Sequence, residues 1–216
     1  GQSNTEPVVP PYDGSMLRRR FWKKVQFVTV LGVLLFVQSI ANAAPLIRSD
    51  DRVWMLGDSH AYMLTRLVRA RAEADGIAFG GGGIGGSSIF AWGEGRYGSE
   101  LARMRRFRPS VALVLLGSND AYMGKRWVET RVEEKLNRLL ARLQERVVWV
   151  GPPTLERARE GNESVYKLLK KERDLFDLVD ARPMRFDMLE DKLHCAPERE
   201  GGCPRWASLI WQAVRQ

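Results

Sequence analysis

Short apolar runs alternate with amphipathic stretches from Asp51 onward. The runs have the length of buried strands and predict strands over 53–56, 111–116, 147–150 and 176–179, with 77–79 as a possible short strand. Apolar residues at helical spacing predict helices over 60–72, 100–107, 127–146, 164–173 and 206–214. Strand and helix recur at the spacing of βαβ units, so the pattern predicts an α/β fold with a mainly parallel sheet and helices on both faces.

Residues 80–88, between two of these strands, are dominated by glycine. Glycine loses much backbone entropy on folding, so such a run is expected where the chain turns tightly or lies close to another group. A flexible surface loop is the alternative. The run lacks the GxxxxGK[ST] pattern, and no acidic residue follows at the spacing of a dinucleotide-binding fold, so the sequence predicts no nucleotide site here.

The first 43 residues differ in character from the rest of the chain. Residues 1–15 are polar and aperiodic, which predicts a disordered tail or an extension upstream of a start at Met16. Residues 16–43 have a basic start, an apolar run over 27–37 and a small-x-small site at 41–43, as in a signal peptide. A membrane span needs about 20 residues, so a cleaved signal is favoured over an N-terminal anchor. We expect a linker at 44–50, one domain over 51–216, and a periplasmic or secreted protein, or a membrane-anchored one without cleavage.

The formal net charge of +8 changes this picture little. Outside the N-terminal segment there is no dense block of lysine and arginine and no nucleic-acid-binding motif, so no nucleic-acid partner is expected. The arginines are spread over amphipathic helices, which indicates solvated helix faces and an attraction to an anionic envelope polymer.

Polar residues with catalytic potential follow the predicted strands. Ser59 lies at a strand-to-helix turn, where its hydroxyl is exposed and its own N–H lacks a helical partner. The alternative is that Asp58 or Ser59 simply caps the helix. Asn119 follows the strand over 111–116, at the same edge of the predicted sheet.

A serine nucleophile needs a base, and the chain has two histidines. His60 follows the serine directly and is expected to point elsewhere, which leaves His194. Asp191 precedes His194 by three residues, close enough for its carboxylate to reach the imidazole. A solvated loop is the alternative interpretation of Asp191 and His194.

These blocks, in this order and at these separations, resemble the SGNH hydrolases, the GDSL-type esterase and lipase superfamily. Gly57-Asp58-Ser59 matches the first block, Gly117-Ser118-Asn119-Asp120 the GxND block, and Asp191-x-x-His194 the last block. The resemblance extends from Asp51 to the C-terminus. It implies a flavodoxin-like three-layer α/β/α sandwich and ester hydrolysis through a serine acyl-enzyme, without metal or other cofactor.

The resemblance also implies roles for individual residues. Ser59 would be the nucleophile, His194 the general base and then acid, and Asp191 the carboxylate that orients it. The oxyanion hole would consist of the Ser59 N–H, the Gly86 N–H and the Asn119 amide, with Gly85 as an alternative to Gly86. The chain departs from the family at His60, where leucine is usual.

Cys195 and Cys203 flank a short segment beside His194. In an exported chain this spacing predicts a disulfide, which would brace the His194 loop. A metal site is not expected, because these residues lack a regular zinc spacing. Four aromatic residues after the glycine run and the GxND block form either a substrate-binding wall or part of the core: Trp92, Tyr97, Tyr122 and Trp127.

Together these features predict an exported serine esterase that removes acyl groups, acetate above all, from an envelope carbohydrate. An O-acyltransferase that uses the same acyl-enzyme is one alternative. A non-catalytic module that binds glycan or protein is another, although such a module has no need for all four of the residues Ser59, Asn119, Asp191 and His194.

Overall fold

Five parallel strands form the central sheet of the computed structural model, which describes residues 44–216. The tail and signal peptide predicted over 1–43 lie outside these residues. The strands are β1 (Arg52–Gly57), β2 (Ala78–Gly83), β3 (Val111–Leu115), β4 (Arg146–Val150) and β5 (Asp177–Val179), in the order β2-β1-β3-β4-β5. Each neighbouring pair is parallel. This is the flavodoxin-like order, in which ligand sites lie beyond the carboxyl ends of the strands on either side of β1.

Helices cover both faces of the sheet. They are α1 (Ser59–Ala74), α2 (Ile89–Gly93), α3 (Gly98–Phe107), α4 (Ser118–Tyr122), α5 (Lys125–Trp127), α6 (Glu133–Arg142), α7 (Arg159–Lys171) and α8 (Cys203–Arg215). Short 3₁₀ turns occur at Glu156–Ala158 and Arg173–Leu175. No helix within residues 44–216 is both long enough and apolar enough to cross a membrane.

The core has two halves, one on each face of the sheet. Helices α1 and α8 pack on one face against the side chains of Val53, Met55 and Leu113. Helices α2, α3, α6 and α7 pack on the other face against Leu56 and Val114. Successive strand residues point to opposite faces, so strands buried on both sides become unbroken apolar runs. The three-layer α/β/α fold predicted from the sequence is confirmed.

The helix predicted over 127–146 is wrong in its extent. Helical structure begins at Lys125, passes through a π-helical turn at Val128–Val132 and ends at Arg142. Leu143 adopts an extended conformation, and Arg146 already pairs with β3. An ion pair between Arg146 and Asp51 secures the start of β4, so tertiary contacts override the helical propensity of residues 143–146.

The glycine run is also more ordered than a surface loop. Strand β2 extends through Gly83, well beyond the predicted 77–79. A Cβ atom on Gly83 would lie 2.0 Å from the Tyr62 nitrogen and 2.2 Å from the Asp58 oxygen, so only glycine allows β2 to lie this close to the start of α1. Beyond β2 the chain turns from Ile84 to Ser87, whose N–H donates to the Ile84 oxygen at 3.1 Å. Gly86 occupies this turn with φ of +73°, as a type II turn requires.

Candidate active site

Ser59 is the first residue of α1, directly beyond the carboxyl end of β1. Asp58 caps the helix, because its Oδ1 accepts the His60 N–H at 2.9 Å. The Asp58 N–H donates to the Leu115 oxygen at 3.1 Å, which ties this turn to the end of β3. Asp58 therefore caps the helix, and the Ser59 hydroxyl is not used for capping.

Ser59, His194 and Asp191 form one hydrogen-bonded series. His194 Nε2 lies 2.9 Å from Ser59 Oγ, across 135 residues of sequence. His194 Nδ1 lies 2.7 Å from Asp191 Oδ2. The carboxylate accepts from Nδ1–H, so the neutral ring has its lone pair on Nε2, facing the serine hydroxyl.

Asp191 is held in its ionised form. Burial acts to raise its pKa, but hydrogen bonds from the His194 and Leu193 N–H groups and from the His194 ring outweigh that effect and lower the pKa to about 2. Asp191 Oδ1 accepts the two N–H groups at 2.9 and 2.8 Å. One carboxylate thus shapes the loop with one oxygen and orients the imidazole with the other.

Asn119 lies in α4, beyond the end of β3, and faces the glycine-rich turn. Its Nδ2 donates to the Ser87 oxygen at 2.7 Å, which uses one of its two amide protons. Within residues 44–216, the N–H groups of Ser59, Gly85 and Gly86 donate to no protein acceptor. The site therefore offers unpaired donors beside Ser59, and the choice between Gly85 and Gly86 stays a prediction.

Buried hydrogen bonds hold the glycine-rich turn in place. Ser87 Oγ donates to the Gly57 oxygen at 2.9 Å and accepts from Trp92 Nε1 at 3.0 Å. Asp120 accepts the N–H groups of Ile89 and Phe90 at 2.8 and 3.2 Å. Burial raises the pKa of Asp120 to about 6, against the effect of these two bonds. The turn that carries Gly86 is consequently held to both β1 and α4.

His60 was not predicted as part of the site, yet it lies buried between the segment of Ser118 and the loop of His194. It forms no hydrogen bond to Ser59, as expected, but its Nε2 lies 2.8 Å from the Leu193 oxygen and its Nδ1 2.9 Å from Ser118 Oγ. Its ring lies 5.8 Å from that of His194, edge to face. The one indication in the sequence that position 60 is unusual is a histidine where the SGNH family usually has leucine.

The predicted disulfide is present between Cys195 and Cys203, with Cα atoms 5.0 Å apart. Both residues are buried in the half of the core that contains α1 and α8. The bridge joins the residue after His194 to the first residue of α8. Within residues 44–216, no group of three or more His, Cys, Asp and Glu side chains is placed to hold a metal ion.

The four aromatic residues do not form a common wall. Trp92 is fully buried and packs against Tyr97 at 4.8 Å between ring centroids, while Trp127 packs against Phe90 at 5.0 Å. Only Tyr122 is substantially exposed, at 38%. Burial and the nearby charge of Asp191 raise the pKa of Tyr122, so its hydroxyl stays protonated beside the site.

An open cleft of about 600 Å³ lies beside the loop that carries Asp191 and His194. Lys192 belongs to both the loop and the cleft wall. The remaining lining residues are four charged, four apolar and one uncharged polar residue: Glu156, Arg185, Asp187 and Arg199; Pro153, Met184, Phe186 and Met188; and Thr154.

Solved structures share this fold, although no protein-family model and no curated protein matches the chain. A catalytic mutant of Axe2, an acetylxylan esterase from Geobacillus stearothermophilus, is 14% identical, with a TM-score of 0.59 over 78% of this chain and 95% of that one. The psychrotrophic esterase EstA from Pseudoalteromonas sp. is 16% identical, with a TM-score of 0.55 over 76% and 97%. The acetyl xylan esterase AlAXEase is 17% identical, with a TM-score of 0.55 over 76% and 99%. At these identities the likeness concerns the fold alone, which this chain shares with these esterases.

Proposed function

We propose that the chain is a serine esterase that hydrolyses carboxylic esters through an acyl-enzyme on Ser59. The hydrogen-bonded series from Asp191 through His194 to Ser59 is the observation that carries this proposal. Each member lies within hydrogen-bond distance of the next, which is the arrangement that activates a serine hydroxyl.

In the first half of the reaction, Ser59 Oγ attacks the ester carbonyl carbon while its proton passes to His194 Nε2. The imidazolium is stabilised by Asp191, which remains ionised because its pKa is lowered to about 2. The tetrahedral intermediate then collapses, and the alcohol leaves with the proton from His194. In the second half, water attacks the acyl-enzyme, gives one proton to His194 and releases the acid, and the proton returns to Ser59.

The negative charge of the tetrahedral intermediate needs donors that are already in place. The N–H groups of Ser59 and Gly86 are unpaired within residues 44–216, and Asn119 keeps one amide proton after its bond to Ser87. Loss of one such donor typically lowers kcat by about 10²–10³-fold. We assign the oxyanion hole to these three groups.

We further propose that the substrate is an acetylated carbohydrate of the cell envelope. Two of the proteins that share the fold are named acetylxylan esterases. The open cleft that Lys192 lines has room for sugar residues, and Tyr122 is an exposed ring near Asp191. Residues 1–43 hold five basic and two acidic groups, so the net charge of +8 becomes +5 after cleavage and still favours an anionic polymer.

Export is part of the proposal, and two independent features support it. The pattern over 16–43 is that of a signal peptide. The Cys195–Cys203 disulfide is of a kind that persists in oxidising compartments. Mass spectrometry of the protein purified from its native cells tests this, since cleavage after Ala43 leaves Ala44 as the first residue, whereas an intact segment contradicts cleavage.

The decisive experiment compares the full chain with its Ser59→Ala variant on p-nitrophenyl acetate and p-nitrophenyl butyrate. We expect Ser59→Ala to lose turnover by at least about 10³-fold with an unchanged circular dichroism spectrum. Ser208→Ala is the matched control, because the Ser208 hydroxyl lies on α8 and, within residues 44–216, bonds only to Arg71. Residual turnover above a few per cent in Ser59→Ala, or an equal loss in Ser208→Ala, would contradict the assignment.

Acetylated xylan, with and without an added sugar acceptor, then tests the substrate. Serine-dependent acetate release supports a hydrolase on carbohydrate esters. Transfer of acetate to the acceptor in preference to water identifies a transferase with the same acyl-enzyme. Binding of the polymer without any serine-dependent reaction would instead identify a non-catalytic module.

A further inference from the structure

His60 is a buried polar residue with two defined partners, neither of which belongs to the proposed reaction. The ring is 2% exposed and is bonded at both nitrogens. Nε2 contacts a backbone carbonyl 133 residues away in the sequence, that of Leu193. Nδ1 contacts the hydroxyl of Ser118 in the GxND block.

The chemistry of the two partners determines the tautomer. A carbonyl oxygen only accepts, so the proton at Nε2 must belong to His60 and be donated to Leu193. Burial lowers the pKa of His60, against the opposing charge of Asp58, so the ring is neutral and Nδ1 is unprotonated. The Ser118 hydroxyl therefore donates to Nδ1. In the neutral ring, Nε2 thus donates and Nδ1 accepts.

The Leu193 carbonyl belongs to the same peptide unit as the N–H of His194. That unit is planar, and in its trans form the C=O and N–H point in opposite directions. Asp191 Oδ1 accepts the N–H at 2.9 Å, and His60 donates to the carbonyl at 2.8 Å. These two bonds restrain the peptide plane, and the bond from the Leu189 N–H to the His194 oxygen at 2.8 Å restrains the next one, so the direction in which the His194 side chain leaves the backbone is restrained as well.

The other partner connects His60 to a second part of the site. Ser118 directly precedes Asn119, whose amide is assigned to the oxyanion hole, and His60 directly follows Ser59. Aromatic packing restricts the imidazole itself, since Trp206 contacts it edge to face at 4.9 Å and is stacked in turn on Phe186 at 4.3 Å. A packed ring thus links the backbone segments that carry Ser59, Asn119 and His194.

We propose that His60 is a positioning residue, which sets the orientation of His194 through the Leu193 carbonyl and aligns the Asn119 segment with it through Ser118. This inference rests on the proposed function of Ser59 and His194 and adds a residue to it. His60 touches no reacting atom and takes no part in proton transfer. Its effect is on kcat, because a base displaced by a fraction of an ångström reacts far more slowly.

Two substitutions at one position separate positioning from space filling. His60→Leu fills similar volume and removes both hydrogen bonds. His60→Gln places an amide N–H at the same number of bonds from Cβ as Nε2, so it retains the bond to Leu193. We expect kcat to fall about 10- to 100-fold in His60→Leu with KM within about twofold, and to recover to within about fivefold of wild type in His60→Gln.

A destabilised control excludes a general loss of structure. Trp211→Phe removes the 2.9 Å bond from Trp211 Nε1 to Asp75 at the far end of α1, about 24 Å along the helix from Ser59. We expect Trp211→Phe to lower the melting temperature while kcat stays within about twofold. The inference is overturned if His60→Leu keeps kcat within twofold, if His60→Gln is as impaired as His60→Leu, or if Trp211→Phe loses as much kcat.

A spectroscopic measurement tests the inference even if the protein proves not to be an esterase. In the wild type, proton NMR should show a downfield resonance from His194 Nδ1–H in its 2.7 Å bond to Asp191. We expect that resonance to broaden or move upfield in His60→Leu and to remain in His60→Gln and Trp211→Phe. An unchanged resonance in His60→Leu would overturn the positioning role, whereas absent turnover with the expected NMR changes would reject only the proposed function.

Discussion

Reduction of the Cys195–Cys203 bridge tests how the loop that carries His194 is held in place. The bridge spans a sequence separation of 8 and ties this loop to the first residue of α8. Opening it frees that segment in the unfolded chain. The chain-entropy relation for a loop of this length gives a loss of about 2.5 kcal/mol in the free energy of unfolding, or about 5–10 °C in melting temperature for a domain of this size.

Activity should be affected much less than stability. The backbone of the loop keeps hydrogen bonds that do not depend on sulfur, from the Leu189 N–H to the His194 oxygen at 2.8 Å and from the Ala196 N–H to the Asp187 oxygen at 2.9 Å. Below the melting temperature we expect the reduced protein to retain kcat within about threefold, because these bonds leave His194 in place.

The assay is urea unfolding of the oxidised protein and of the same protein in reductant, followed by circular dichroism. The wild type in reductant keeps both sulfur atoms in the core, so the comparison isolates the bond itself. Cys195→Ala/Cys203→Ala is the second arm and should lose slightly more, since both side chains are buried. A stability change below about 1 kcal/mol on reduction, with free thiols verified by titration, would refute the entropic argument.

Further predictions concern packing, protonation and the oxyanion hole. Gly83→Ala places Cβ 2.0 Å from a backbone nitrogen and should lower both stability and kcat, whereas Gly98→Ala, with no atom within 4 Å of its Cβ, should change the unfolding free energy by less than about 0.5 kcal/mol in urea unfolding. Asp120 has its pKa raised from 3.8 to about 6, so the folded state retains a proton that the unfolded state has lost. The unfolding free energy of the wild type relative to Asp120→Asn should therefore be greatest below pH 4 and fall by about 3 kcal/mol as the pH rises through 6. Denaturation at several pH values measures this difference, and a flat or rising difference would contradict the raised pKa of Asp120. Asn119→Ala should lower kcat about 10²–10³-fold on p-nitrophenyl acetate with little change in KM, and an undiminished kcat would remove Asn119 from the oxyanion hole.

The parts of the site that could be predicted from the sequence are those with local signals. Ser59 and Asn119 each follow an apolar run that becomes a central strand, so their position at the carboxyl edge follows from strand pattern alone. Asp191 and His194 are close in sequence, and their contact needs no knowledge of the fold. The resemblance to the SGNH hydrolases then joined these local signals into one site.

Features that depend on distant residues could not be predicted in this way. Nothing near His60 in the sequence indicates Leu193 as its partner, because the two meet only when the last loop folds onto α1. The length of β2 depends on the close contact between Gly83 and the first turn of α1, although glycine is itself a weak strand former. Trp92 could not be assigned to core or surface until its indole N–H was seen to donate to buried Ser87.

The sequence separation of 135 between Ser59 and His194 also bears on how the protein folds. The loop that carries His194 lies between β5 and α8, so it can reach Ser59 only after the sheet is assembled and the last helix has docked. Contacts between such distant segments form late, since the entropy of closing a long stretch of chain must first be overcome. Helical structure should therefore return early during refolding and catalytic competence last, which makes the Ser59–His194 contact a reporter of completed folding.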